Sequence, residues 1–283
     1  MNSSFEGIER PRCVLVKLGG SLITDKTGHR AVRRGVLRSL AEDLAGFLSQ
    51  ASPDLRVLLG HGSGSFGHTA AAGTALVSAS RVPGDRTAAA VVTQEAAAAL
   101  HQFVVEELIA AEVPAFSLAP GSFLVTRGGV PEQLFAAPLV EALRAGAHVV
   151  VHGDVATDRE AGFRIVSTET VLQALVDDLS GELEVLGALW LGETAGLLDA
   201  DGHTIPEIDS SQDVEELIGV TRGTDVTGGM AHRIAVVQRM ARSGVTSFLL
   251  DGRKPGRFRS ALEHIAASAS EALDGATRIA GDD

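Results

Sequence analysis

Short apolar runs alternate along the chain with longer stretches in which apolar residues recur at helical spacing. The runs near 13–18, 55–60 and 147–152 are almost continuously apolar, which predicts strands that are buried on both faces. Residues 30–50 instead carry an apolar stripe opposite charged positions, as expected for a helix that packs on a sheet. Together these patterns predict an α/β fold in which helices cover both faces of a parallel sheet.

The same periodicities predict the remaining elements. The stretch 87–113 is rich in alanine and contains neither glycine nor proline, so it predicts one long helix that ends before Pro114. The other predicted helices cover 131–146, with a kink at Pro138, and 169–179, 213–219 and 230–243. The other predicted strands cover 115–118, 123–126, 183–191 and 246–251, with an edge strand at 277–280 and a hairpin turn at 158–162. No tandem repeat or low-complexity linker divides the chain, so we expect a single domain.

The composition narrows the class of protein. A net charge of −12 argues against broad binding to nucleic acid or anionic membranes. The single cysteine, Cys13, lies in the first apolar strand, where it fits a reducing compartment and a core position. No apolar stretch reaches the roughly 20 residues that span a bilayer, and the N-terminus lacks a signal sequence. We therefore expect a cytoplasmic protein.

Glycine loops follow several of the predicted strands. The octapeptide 61–68 reads His-Gly-Ser-Gly-Ser-Phe-Gly-His and leads into a helix predicted to begin near Phe66. Glycines let backbone N–H groups approach an anion closely, and a helix N-terminus favours negative charge, so this loop is typical of a phosphate site. A bend that merely needs glycine explains the loop equally well. Further glycine loops at 18–21, 152–154 and 225–229 are expected at the carboxyl edge of the sheet, where α/β proteins bind ligands.

Three cations are candidates for phosphoryl transfer, which needs backbone donors for the phosphates and positive charge for the transferred group. Lys17 lies in an otherwise apolar strand and is costly to bury unpaired, which favours a functional role. Lys26 and Arg233, taken singly, are better explained as solvated surface charges.

A dinucleotide-binding site is an alternative to a phosphoryl-transfer site, because residues 62–67 formally match the Gly-x-Gly-x-x-Gly fingerprint. That fingerprint also needs an acidic residue at the end of the next strand, and the nearest candidate, Asp85, precedes a predicted helix instead. The sequence contains no Walker A pattern, Cys/His cluster or Gly-x-Ser-x-Gly elbow, which argues against the commonest P-loop, zinc and hydrolase sites.

The order of these motifs resembles the amino acid kinase superfamily, and within it the isopentenyl phosphate kinases. The resemblance rests on Lys17–Ser21 with Thr24–Lys26, then on His61–His68, His152–Asp154 and Asp225–Met230. It implies a three-layer α/β/α sandwich with a mainly parallel central sheet, and a homodimer. It also implies ATP- and Mg²⁺-dependent phosphorylation of isopentenyl phosphate to the diphosphate, with the acceptor half at 13–166 and the nucleotide half at 167–280.

The resemblance also implies roles for individual residues. The expected catalytic residues are Lys17, Lys26, His68, Glu169 and Arg233. His68 would bind the acceptor's phosphate, and the acceptor-binding set is Gly62, Gly64, Gly67, His68, Gly153 and Asp154. The nucleotide-binding set is Lys17, Gly19, Gly20, Ser21, Ser63, Glu193, Asp225, Gly228, Gly229 and Arg233. No residue is expected to ligate a metal directly.

Three departures from the family pattern lie on the nucleotide side. Ser-Gly-Asp-Asp becomes Ser167–Thr170, so Glu169 must organise the lysines, and Thr-Asp-Val-Asp-Gly becomes Gly192–Gly196, which lacks both aspartates. The family's lysine after Gly-Gly-Met is Arg233. Three interpretations therefore stay open: an isopentenyl phosphate kinase, a kinase for another alkyl phosphate or a phosphonate, as in fosfomycin kinases, and a non-catalytic protein that binds a phosphate ligand.

Overall fold

The computed structural model describes residues 10–25, 28, 30–72, 74–77, 83–212, 228–268 and 271–281. Their strands are β1 (Arg12–Leu18), β2 (Thr24–Asp25), β3 (Ala31–Val32), β4 (Leu55–His61), β5 (Ala115–Ser117), β6 (Leu124–Arg127), β7 (Val130–Leu134), β8 (His148–His152), β9 (Asp154–Asp158), β10 (Gly162–Val166), β11 (Glu184–Gly192), β12 (Glu207–Asp209), β13 (Ser247–Asp251) and β14 (Ala276–Ala280). The helices are α1 (Gly20–Ile23), α2 (Arg34–Leu48), α3 (Gly64–Ala71), α4 (Pro83–Ala110), α5 (Ala137–Arg144), α6 (Thr168–Leu179), α7 (Gly228–Arg242) and α8 (Arg257–Ala266).

Eight strands form the central sheet, in the order β12-β14-β13-β11-β1-β4-β8-β5. Neighbours pair in parallel except β13 and β14, which are antiparallel. Strand β1 shows why both faces are covered, since Cys13 and Leu15 point into one apolar core and Val14 and Val16 into the other. Helices α5, α6 and α7 pack on the first face, and α2, α4 and α8 on the second. The predicted α/β/α sandwich with a mainly parallel sheet is confirmed.

Cys13 takes the core position predicted for it. Its side chain is fully buried, and burial raises the pKa of its thiol to about 12. The thiol is therefore neutral at physiological pH, consistent with a packing role.

The helix predicted over 131–146 is wrong in its first part. Residues Val130–Leu134 form β7, which pairs with β6 across a turn at Gly128 and Gly129, both with positive φ. The helix begins only at Ala137, which leaves Pro138 in the first turn, where its missing N–H costs nothing. Proline therefore starts this helix and does not kink it.

The far edge of the sheet also differs from the prediction. Strand β14 lies inside the sheet, between β13 and the three-residue strand β12, which the sequence pattern did not indicate. The predicted hairpin at 158–162 joins β9 to β10 and is confirmed. The helix predicted over 213–219 lies outside the described residues.

Helix α4 begins four residues before the predicted start at 87 and ends three residues before the predicted end at 113. Its segment Asp85–Ala110 passes a test of length and composition for a membrane span, although we expected no stretch that would. Core helices of globular proteins pass the same test, and α4 packs against α2, α3 and β5. This one helix is therefore weak support for a membrane segment.

Candidate active site

Lys17 lies near the end of β1, beside Gly60 of β4 and Trp190 of β11. The sheet continues toward β4 on one side of β1 and toward β11 on the other, so the strand order reverses there. In open α/β sheets, ligands bind in the crevice outside the carboxyl ends of strands at such a point. The loops after β1, β4 and β8 meet at this edge, because Leu18 is in register with His61, and His61 with His152.

Lys17 forms a buried ion pair at this edge. Its Nζ lies 2.8 Å from Oε1 of Glu169, and the two side chains are 4% and 10% exposed. Burial lowers the pKa of Lys17, and the negative charge of Glu169 opposes that shift. Burial alone would raise the pKa of Glu169, but the charges of Lys17 and Arg233 outweigh it and hold that pKa at about 2. Glu169 is therefore a carboxylate at neutral pH.

Glu169 also holds Arg233, whose Nε lies 3.5 Å from the same Oε1. Glu169 occupies the first turn of α6, where Ser167 caps the helix by accepting a hydrogen bond from the backbone of Thr170. Arg233 belongs to α7, so a single carboxylate joins cations from β1 and from α7. Three of the five expected catalytic residues thus lie together, whereas Lys26 lies outside the described residues.

The two glycine loops touch through their backbones. A β-carbon at Gly20 would lie 2.6 Å from the nitrogen of Gly64, and one at Gly62 would lie 3.0 Å from the nitrogen of Gly20. Gly64 has a φ of +50°, and a β-carbon there would lie 2.2 Å from Oγ1 of Thr24. That hydroxyl donates to the Gly20 carbonyl at 2.7 Å and accepts from the backbone N–H of Ser65 at 3.0 Å. The two backbones are therefore too close for any side chain larger than that of glycine, and the Thr24 hydroxyl joins the two loops.

Helix α3 begins inside the octapeptide, at Gly64, slightly before the predicted position. Ser63 is its N-cap residue and makes no side-chain capping bond. A β-carbon at Gly67 would lie 2.2 Å from the Ser63 Oγ, so the first turn is also closely packed. His68 follows on the same helix with an exposed ring.

The third loop is tied to the second. The carbonyl of His61 accepts from the backbone N–H of Gly153 at 3.0 Å and from Oγ1 of Thr168 at 2.6 Å. Thr168 sits beside Glu169, so the loops after β4 and β8 are fixed to the helix that carries the central carboxylate. The carboxylate of Asp154 is buried and lies against His152, with Oδ2 3.5 Å from Nε2 of that ring.

The residues expected to bind the nucleotide make both backbone contacts and an ion pair. Gly19 donates its N–H to the Leu191 carbonyl at 2.8 Å, which sets the position of the Gly19–Ser21 turn. Glu193, just after β11, is already paired with Arg33, whose Nη1 lies 2.6 Å from Oε1. Gly228 and Gly229 form the start of α7, two residues before the predicted start at Met230, whereas Asp225 lies outside the described residues.

The sequence interpretation missed one contact of this site. The ring nitrogen Nε2 of His232 lies 3.1 Å from Oγ of Ser167 and 3.2 Å from Oγ1 of Thr170. This contact holds α7 against the start of α6 and thereby positions Arg233, the next residue. The only sequence signal is that His232 and Arg233 are adjacent.

The sequence pattern of the amino acid kinase family matches residues 12–251, which include the loops and the charged cluster described above. The chain belongs to the amino acid kinase family, and the superfamily resemblance is confirmed.

Relatives that match most of the chain include isopentenyl phosphate kinases. The chain is 30% identical to an isopentenyl phosphate kinase from Methanothermobacter thermautotrophicus, over 88% of this chain and 94% of that protein. It is 31% identical to one from Haloferax volcanii, over 86% of this chain and 96% of that protein. A crystal structure of isopentenyl phosphate kinase superposes with a TM-score of 0.76 at 23% identity, covering 95% of this chain and all of that one. The overall fold is thus shared along nearly the whole chain.

Proposed function

We propose that this protein is an ATP-dependent kinase that phosphorylates isopentenyl phosphate to isopentenyl diphosphate, a step of isoprenoid biosynthesis. Full-length relatives with that name support the choice of substrate. The observation that carries the proposal is the buried Lys17–Glu169–Arg233 cluster at the reversal point of the sheet, next to two glycine loops in backbone contact.

The chemistry requires few protein groups. An oxygen of the alkyl phosphate attacks the γ-phosphorus of ATP, a new P–O bond forms, and the bond to the ADP oxygen breaks. Negative charge on the transferred group is stabilised by cations whose positions are fixed before the reaction. Glu169 supplies that preorganisation for Lys17 and Arg233. Lys26 is the third proposed cation, and Lys26→Ala is expected to act chiefly on turnover.

The acceptor's phosphate is assigned to the loops after β4 and β8. Gly62, Gly67 and Gly153 offer backbone contacts, and Gly64 starts α3 with its N-terminus toward the same region. His68, exposed on that helix, is the proposed ligand of the phosphate oxygen. A contact from Asp154 would come from its backbone, because its carboxylate is buried.

The nucleotide is assigned to the loop of Gly19, Gly20 and Ser21, with Ser63 and the start of α7. Mg²⁺ is expected to arrive with ATP and to be held mainly by phosphate oxygens and water. Two carboxylates of this edge, Glu169 and Glu193, are occupied by Lys17 and Arg33, so they do not fit a dedicated magnesium site. No step of the mechanism is assigned to a protein-bound metal.

We propose that the protein is a single domain with an acceptor half at 13–166 and a nucleotide half at 167–280. We also propose that it is a homodimer and is located in the cytoplasm. The central sheet takes strands from both halves, which supports a single domain. Size-exclusion chromatography with light scattering tests the homodimer.

A coupled assay for ADP release tests the function. Isopentenyl phosphate, other short alkyl phosphates and fosfomycin are compared as acceptors, each with ATP and with other nucleotides. We expect the highest kcat/KM for isopentenyl phosphate with ATP. A higher value for a phosphonate would assign the fosfomycin-type activity instead, and phosphate-ligand binding without turnover would assign a non-catalytic role.

A further inference from the structure

Three histidines meet beside the acceptor loops. His61 ends β4, His152 ends β8 in register with it, and His101 comes from α4. Nε2 of His61 lies 2.9 Å from Nδ1 of His101, and one ring nitrogen from each of the three lies within 4.8 Å of the others. The sequence contains no metal motif here, because the three histidines are far apart along the chain and join only through the fold.

Asp154 adds a carboxylate to this cluster. Its Oδ2 lies 3.5 Å from Nε2 of His152, and the side chains of His152 and Asp154 are only 3% and 1% exposed. Within the described residues, neither ring nitrogen of His152, neither oxygen of Asp154 and not Nε2 of His101 has a hydrogen-bond partner. A buried polar atom without a hydrogen-bond partner destabilises the fold, so such a concentration of unpaired nitrogens and oxygens indicates a ligand.

We propose that His61, His101 and His152 form a binding site for a divalent transition-metal ion of the Zn²⁺ class, with Asp154 as the carboxylate that orients His152. Three imidazole nitrogens are the protein ligands of His₃ zinc sites, in which a water molecule completes the tetrahedron. Mg²⁺ and Ca²⁺ prefer oxygen ligands and do not suit this set. The site is separate from the Lys17–Glu169–Arg233 cluster and does not depend on the proposed kinase activity.

Metal binding requires the rings to rotate. The three rings are stacked, with centroids 4.3–5.4 Å apart, whereas a metal ion lies in the plane of each ring that binds it. Metal–nitrogen bonds of about 2.0–2.1 Å place tetrahedral ligand nitrogens about 3.4 Å apart. The backbones of His61 and His152 are fixed by sheet pairing, so rotation about their side-chain bonds provides this change. The bound ion would then join β4, β8 and α4.

Cobalt binding to the full chain tests the site without measuring kinase activity. The purified protein is treated with a chelator and titrated with Co²⁺, whose visible absorption reports tetrahedral coordination, and Zn²⁺ is then added as competitor. We expect one Co²⁺ per chain, displacement by Zn²⁺, and a higher melting temperature with Zn²⁺. His101→Ala, at a half-buried position that should fold, is expected to weaken binding by at least about tenfold. Asp154→Asn is expected to change the cobalt spectrum.

His203→Ala is the matched control. His203 lies in an exposed turn with Asp199 and Asp201, the other set of described residues whose ligand atoms lie close enough to share an ion. Its removal should leave binding and the melting temperature unchanged. Failure of the chelated wild type to bind Co²⁺ at micromolar concentration would overturn the proposal. Binding that survives His101→Ala, or that is lost in His203→Ala, would overturn it as well.

Discussion

The proposed acceptor side and the proposed nucleotide side of the candidate active site are stabilised in different ways. On the acceptor side, Gly62 and Gly64 approach the loop of Gly20 so closely that a β-carbon has no room. On the nucleotide side, a partly exposed ion pair joins Glu193 to Arg33. Adding one carbon atom between closely packed backbones forces them apart. An exposed ion pair contributes little to stability, so a substitution there is tolerated. The departure from the family pattern at Gly192–Gly196, next to Glu193, falls on the side that tolerates change.

The cluster of Lys17, Glu169 and Arg233 lies between these two sides. It is built from charges, like the nucleotide side, but Lys17 and Glu169 are buried, like the acceptor loops. We therefore expect its substitutions to have effects close to those of the glycines. Substitutions at Gly64, Glu169, His68 and Glu193 test that ranking.

Gly64→Ala is expected to have the largest effect. The new β-carbon would overlap Oγ1 of Thr24 and the carbonyl of Gly20, at a residue with positive φ. Overpacking costs about 1–3 kcal/mol, and the αL conformation adds about 1–2 kcal/mol for a residue other than glycine. Thermal unfolding should show the loss of stability, and kcat/KM should fall by roughly 10²-fold or more, because a shift of about 1 Å misplaces the reacting groups.

Gly35→Ala is the control for that substitution. Gly35 lies in α2 with no atom within 4 Å of a new β-carbon, so alanine should be neutral or stabilising by up to about 1 kcal/mol. A Gly64→Ala variant with the melting temperature and kcat/KM of the wild type would contradict the tight packing of the acceptor loops.

Glu169→Gln tests the buried cluster. Removing one partner of a buried pair costs about 3–5 kcal/mol, since the other charge is left without compensation. Lys17 would also lose its fixed position, so kcat should fall by roughly 10²-fold. Glu169→Asp keeps the charge and should retain more activity and stability. Equal losses in the two variants would show that the shape of the side chain matters and its charge does not.

The pH dependence of stability tests the same carboxylate. The pKa of Glu169 is lowered from 4.5 to about 2 in the folded protein. A carboxyl group with a depressed pKa stabilises the fold above its unfolded pKa and loses that contribution as pH falls toward the folded value. The free energy of unfolding of the wild type, measured by denaturant, should therefore decrease between about pH 5 and pH 2. Glu169→Gln should show a smaller decrease, and parallel curves would contradict the assignment.

The sequence predicted the layers of the fold and the edge that carries the site, but not the side-chain partners. Continuous apolar runs identified β1, β4 and β8, because burial on both faces leaves a strong signal. Strand β7 has the half-polar sequence Val-Pro-Glu-Gln-Leu, and β12 has three residues, so neither has a period to detect. Lys17 was singled out by its apolar neighbours, yet the pairing with Glu169 came only from family resemblance. His101 gave no signal, because nothing local relates it to His61.

His68→Ala tests the acceptor side without changing its packing, because the ring is exposed. A hydrogen bond to a charged phosphate contributes about 1.5–3 kcal/mol, so KM for isopentenyl phosphate should rise by roughly 10- to 100-fold. The KM for ATP should stay within about twofold, since uniform loss of acceptor binding leaves the donor site intact. Thr69→Ala, at the next exposed position of α3, is the control. A rise in the KM for ATP alone would move His68 to the nucleotide side.

Glu193→Gln is expected to have the smallest effect. The Glu193 and Arg33 side chains are 29% and 33% exposed, and ion pairs of that kind contribute about 0–1 kcal/mol. The KM for ATP should therefore change by less than about fivefold, and the melting temperature should barely move. Added salt should reduce even this difference, because it screens exposed charges and leaves the close-packed glycine loops unaffected. A loss of activity as large as that of Gly64→Ala would show that the nucleotide side depends on this carboxylate as strictly as the acceptor side depends on its glycines.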